Sequence, residues 1–227
     1  MDDHGVVDVG DVRLAYRSWG NPMGAPVVLL HGLTGSAASW DKVGELLGDE
    51  WRVYALDLRG HGESDWPDDY DLALMCEDVL GFLDELQLDR VGLVGHSMGG
   101  VIAYRLALDH ADRVEYLVLE ETPPPYPREL TESAPPEGPV DYDLAVVPAV
   151  RAQIFAPDPE WEERLGEIVA PTLIVAGGSD SSMPQDRIHD MAAEIPDCRV
   201  ITIPVGHNVH ALQPQQFAEH VGEFLTS

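Results

Sequence analysis

The sequence predicts an α/β domain built on a mostly parallel, eight-stranded sheet flanked by helices. Three observations predict it. Short apolar runs alternate with segments of helical spacing along most of the chain, a pattern that places parallel strands beneath crossover helices. Val27 to Leu30 and Val91 to Val94 contain no polar side chain, as expected of strands covered on both faces. The 227 residues, 44% of them hydrophobic, suit one α/β domain of ordinary size.

The elements follow in order. Val6 to Val9 and Arg13 to Trp19 read as an opening antiparallel hairpin turned at Gly10-Asp11. Pro26 to His31 is a buried central strand ending at Gly32. A helix over Ala37 to Leu47 and a strand over Trp51 to Leu58 come next. Leu72, Met75, Cys76, Val79, Leu80, Leu83 and Leu86 recur at helical spacing and predict a helix over 72–86. Strand Val91 to Val94, helix Met98 to His110 and strand Val114 to Leu119 follow. Between Thr122 and Pro171 the composition changes, and eleven prolines mark an excursion from the sheet. Asp143 to Phe155 and Pro159 to Ile168 are helical candidates inside it, while Pro123 to Pro139 should be extended and mobile. Strand Thr172 to Ala176, helix Pro184 to Glu194, strand Arg199 to Ile203 and helix Pro214 to Leu225 complete the pattern.

Charge and composition exclude several function classes. Forty-one acidic residues against thirteen basic ones give a formal net charge of −28, which repels nucleic acid and anionic membrane surfaces. No run approaches the ~20 apolar residues of a membrane span. The N-terminus has no apolar signal region, so the expected location is cytoplasmic. Cys76 and Cys198 have no metal or redox spacing and read as buried free thiols. No phosphate-binding glycine loop is present.

The chemistry gathers around Gly95-His96-Ser97-Met98-Gly99. An apolar strand leads into this Gly-x-Ser-x-Gly and an apolar helix leaves it, the setting of a sharp elbow that lifts a serine hydroxyl into a pocket. A neutral serine needs a base, and the base an orienting acid. Asp180 follows the strand 172–176, and His207 follows the strand 199–203. All three therefore sit at carboxyl ends of strands, the edge where open parallel sheets bind ligands. The backbone N–H groups of Leu33 and Met98 are the expected oxyanion donors, with Gly32 permitting close approach.

These motifs make the chain resemble the α/β-hydrolase-fold enzymes. The resemblance rests on His31-Gly32, the loop Asp57-Leu58-Arg59-Gly60-His61-Gly62-Glu63-Ser64, Gly95 to Gly100, Asp180 and Gly206-His207. It implies a core of residues 1–122 and 171–227, with 123–170 as a short helical lid. It also implies Ser97 as nucleophile, His207 as general base and then acid, and Asp180 as orienting carboxylate. Some members take the acid from the earlier strand end, which makes Glu121 the rival, while Glu120 is expected to point away. Substrate-binding candidates are Gly32, His96, Trp40 and His210. Asp57 and His61 are expected to hold their loop through hydrogen bonds and packing. His31, His207 and His210 match no zinc spacing, and neither metal nor organic cofactor is implied.

The expected reaction is cleavage of a small carboxylic ester or lactone through an acyl-enzyme. Three alternatives use the same scaffold. Peroxide in place of water gives a cofactor-free perhydrolase of haloperoxidase type. A C–C hydrolase or synthase-type lyase would move protons on a carbon acid and would need a cation for a substrate carboxylate. Arg128 and Arg151 are the arginines of the lid region before Arg164 available for it. A ligand receptor is the non-enzymatic reading, disfavoured because serine, acid and histidine are all present.

Overall fold

A computed structural model describes residues 3–130, 136 and 138–226. Its strands are β1 (Asp3–Val9), β2 (Val12–Gly20), β3 (Pro26–Leu30), β4 (Arg52–Leu56), β5 (Val91–His96), β6 (Val114–Glu120), β7 (Thr172–Ala176) and β8 (Cys198–Thr202). The helices are α1 (Asp41–Leu47), α2 (Leu72–Glu85), α3 (Met98–Asp109), α4 (Val146–Phe155), α5 (Pro159–Glu163), α6 (Gln185–Glu194), α7 (Val209–Leu212) and α8 (Pro214–Leu225). Ala37–Trp40 forms a 3-10 turn leading into α1, so the expected helix over 37–47 is tightened at its start.

The eight strands make one sheet in the order β1-β2-β4-β3-β5-β6-β7-β8. β2 runs antiparallel to β1 and β4, and the remaining pairs are parallel. The sheet is therefore mostly parallel, as the apolar runs predict. All six residues of β5, in the middle of the order, are buried. Two apolar clusters cover the sheet: one joins α2, α3, α4 and α6, the other α1 and α8. Each fully buried Leu, Val or Phe contributes about 1.5–3 kcal/mol, which keeps the strand ends rigid enough to position reactive groups.

The excursion after β6 contributes α4, α5 and a 3-10 turn at Leu165–Glu167. Part of the expected mobile stretch, residues 131–135 and 137, lies outside the described residues. The chain beyond it is fastened to the core by polar contacts. Gly62 N donates to Asp141 O at 2.7 Å and Asp143 N to Gly60 O at 2.8 Å. The Tyr70 hydroxyl reaches Asp143 at 2.6 Å, and Gln153 accepts from Leu72 N at 2.9 Å. The loop 57–64 is thus a platform for the excursion. Asp57 holds that loop through Ala37 N at 2.6 Å and Glu63 N at 3.0 Å, and His61 Nδ1 lies 3.0 Å from Arg59 O. Among the described residues, no helix is long and apolar enough to cross a membrane.

Candidate active site

Ser97 stands between β5 and α3 at φ 50° and ψ −114°, a left-handed conformation that costs a non-glycine residue of order 1–3 kcal/mol. Its surroundings enforce the turn. A Cβ on Gly95 would come within 2.4 Å of Gly99 O, and one on Gly99 within 2.3 Å of Leu30 O. Ser97 N donates to Glu120 O at 2.9 Å, tying the elbow to β6. A Cβ on Gly32 would meet His96 Nδ1 at 2.6 Å and the Ser97 Cβ at 3.2 Å. Glycine there lets the loop after β3 press against the serine, which brings the Leu33 segment beside it. Met98 begins α3, so its N–H belongs to a helix N-terminus with its partial positive charge.

The histidine is positioned from below. His207 lies between β8 and α7, and its carbonyl faces His96 Nε2 at 2.8 Å. Its Nδ1 faces Glu121 Oε2 at 3.3 Å. With the proton on Nδ1, Nε2 is left as the basic nitrogen.

The acid beside His207 is Glu121, and here the structure corrects the expectation for Asp180. The turn Gly178–Asp180 carries Asp180 to the exposed surface, where its carboxylate meets Ser179 Oγ at 3.4 Å. Glu121 leaves β6 at φ 47°, with its N–H on Val175 O at 3.0 Å, and this kink turns its side chain inward. It is fully buried. Burial pushes its carboxyl up, yet hydrogen bonds from His207, Ser181, Gly177 N–H and Gln185 hold it below the usual range. A carboxylate so surrounded stays ionised and suits the stabilisation of an imidazolium.

Glu120 does not reach His207. It is completely buried, accepting from His210 N at 2.8 Å and facing His210 Nδ1 at 2.8 and 3.0 Å. Strand register sets Glu120 opposite His96, and the two consecutive glutamates address His207 and, in the first turn of α7, His210. His210 stacks on Trp40 with ring centroids 4.0 Å apart. Trp40, His96 and His210, expected to touch substrate, are buried, with His210 against both other rings, and do not line the cavity over Ser97. Gly32 likewise serves the elbow. Burial lowers His96 to about 4, so it is neutral at pH 7. His96, Glu120 and His210 bring potential metal-ligand atoms within 4.8 Å of one another. His210 Nδ1, Glu120 and His96 Nε2 already serve hydrogen bonds there, and the trio reads as a hydrogen-bonded brace.

Above Ser97 and His207 opens a cavity of about 760 Å³. Leu33, Tyr142, Val147, Ile154, Phe155 and Met183 supply much of its apolar wall, and Arg128 and Arg151 its cationic groups. Sequence reasoning missed Ser181, Gln185, Tyr142 and Met183, which carry no spacing signal. Glu121 did carry one: two carboxylates where an apolar strand ends, a place where burial demands a partner.

Comparison with known proteins yields a consistent picture. The family model described as alpha/beta hydrolase fold matches residues 25–147. The chain is 29% identical to "Putative 2-succinyl-6-hydroxy-2,4-cyclohexadiene-1-carboxylate synthase" of Bacillus subtilis (strain 168), over 95% of this chain and 96% of the relative. It is 32% identical to "Putative carbamate hydrolase RutD" of Variovorax paradoxus (strain S110), over 88% and 90%. Among solved structures it is similar to Est816, described as an N-acyl homoserine lactone degrading enzyme. That match has a TM-score of 0.85 and 28% identity, covering 97% of this chain and 100% of the other.

Proposed function

Because the chain belongs to the alpha/beta hydrolase fold family, we propose that it is a serine hydrolase that cleaves a small carboxylic ester or lactone. The observation that carries the reading is the convergence of strained Ser97, His207 and buried Glu121 at one edge of the sheet. Ser97 Oγ attacks the acyl carbon while His207 Nε2 takes its proton, and Glu121 stabilises the imidazolium. The oxyanion rests against the N–H groups of Leu33 and Met98. As the acyl–oxygen bond breaks, His207 returns the proton to the leaving alkoxide. Water then attacks the acyl-serine, losing a proton to His207, and the acid departs as Ser97 is reprotonated. The likeness to a lactone-degrading structure and a named carbamate hydrolase supports acyl transfer. Treatment with a fluorophosphonate is expected to yield one adduct, mapped to Ser97, and Ser97→Ala to lower turnover by at least about a thousandfold. A folded protein that takes no label, or a variant retaining more activity than that, overturns the reading.

The two arginines of the cavity favour a second reading, proton abstraction from a carbon acid that bears a carboxylate, and a carboxylate synthase is named among the relatives. Solvent deuterium entering recovered substrate with no acyl-serine adduct would identify it.

A further inference from the structure

The reaction cavity contains a cation, Arg128, that meets no carboxylate among the described residues. Arg128 is fixed between the chain leaving β6 and the end of α4, its backbone N–H on Phe155 O at 2.8 Å. Its guanidinium lies over the Phe155 ring, 4.8 Å from the centroid, and Nη1 reaches only the weak acceptor Sδ of Met183 at 3.7 Å. Nε and Nη2 are buried without a hydrogen-bond partner among the described residues. Arg151 also lines the cavity and lies 4.7 Å from the same ring, adding like charge. Several other arginines of this acidic chain meet carboxylates, among them Arg59 with Asp78, Arg17 with Asp41, and Arg164 with Asp109 and Glu167. Arg105 also has an unpartnered Nε, but it stacks on Trp161 at 4.4 Å and does not line the cavity.

Buried donors without acceptors are unfavourable unless a ligand supplies them. Nε and Nη2 form the side-on fork of a guanidinium, whose spacing matches the two oxygens of a carboxylate. We propose that Arg128 is the docking site for a free carboxylate of the substrate, so that the preferred substrate is a monoanionic half-ester whose ester carbonyl meets Ser97. This rests on the acyl-transfer reading above. A surface of net charge −28 disfavours anions at long range, so selection of one must come from inside the cavity.

The test pairs 4-nitrophenyl half-esters of succinic, glutaric and adipic acids with their neutral methyl diester counterparts. Wild type is expected to favour at least one half-ester by roughly tenfold or more in kcat/KM, the effect of a charged hydrogen-bonded pair. Arg128→Gln should shrink that preference at least about tenfold, while Arg128→Lys keeps part of it. Removing an unpartnered buried charge should leave Tm equal or higher. No preference in wild type, or a preference unchanged in Arg128→Gln, overturns the proposal. So does a lower Tm with both ester types equally impaired, which marks a structural residue. Calorimetry of the free diacids on Ser97→Ala separates the two readings. Binding that Arg128→Gln abolishes, with no ester turned over, keeps the anion site and removes acyl transfer. Ester cleavage without preference, and without diacid binding, does the reverse.

Discussion

Glu121 shows how much one residue's geometry decides. Its carboxylate gathers His207, Ser181, Gln185 and the Gly177 N–H, whereas Asp180 one strand away faces solvent. Glu121→Gln should therefore lower kcat by about a hundredfold to ten-thousandfold, because the amide can neither stabilise the imidazolium nor impose the tautomer. Asp180→Asn should stay within about twofold, as surface substitutions usually do. Parallel steady-state kinetics on any turned-over ester measures both. Equal losses in the two variants would contradict this placement of the acid.

The elements that hold the site are fastened by a few polar contacts between otherwise apolar layers. α2 is joined to the platform loop by Arg59 and Asp78, a nearly fully buried pair with Nη2 to Oδ1 at 2.6 Å. Removing one partner leaves a buried charge alone, so Asp78→Ala is expected to destabilise by about 3–5 kcal/mol in urea unfolding. The double change Arg59→Met with Asp78→Leu should recover much of that loss, since similarly sized apolar groups need no counter-charge. Because the same loop carries the contacts to Asp141 and Asp143, Asp78→Ala should also disturb the cavity wall. Element positions were readable from periodicity: β7 and α8 begin and end as expected, and α2 and α3 each stop one residue early. The short α7 was not, because four residues show no helical period.

Across the whole molecule, burial of neutral histidines ties stability to pH. Burial lowers His31 and His96 to about 4 and His61 to about 3. Unfolded, each titrates near pH 6.5, so below that pH the unfolded chain binds more protons than the folded one. Their contribution is complete above about pH 6.5 and is lost as pH falls toward 4, by up to about 1.4 kcal/mol per pH unit for each. Glu120 and Glu121, both held below the usual carboxylate range, add a further loss at still lower pH. Urea midpoints at pH 8.5, 7.5, 5.5 and 4.5 should therefore be level between the first two and then decline steeply. A flat series would show that these rings are solvated.

Apolar periodicity, glycine placement and the order serine, acid, histidine were local properties of the chain. They sufficed for the sheet, the elbow and the strand ends from which Ser97 and His207 face one cavity. Which carboxylate meets the histidine depended on contacts between distant segments. Asp180 and Glu121 end neighbouring strands, and only the turn at 178–180 and the positive φ of Glu121 separate outward from inward. The same holds for Trp40, His96 and His210, whose types suit a substrate pocket but whose packing forms a brace below it. It holds too for Arg128, ordinary in sequence and unusual because its Nε and Nη2 are buried with no acceptor among the described residues. Strand ends follow from short-range pattern, whereas the direction and partner of a side chain follow from long-range packing, which composition and spacing do not encode.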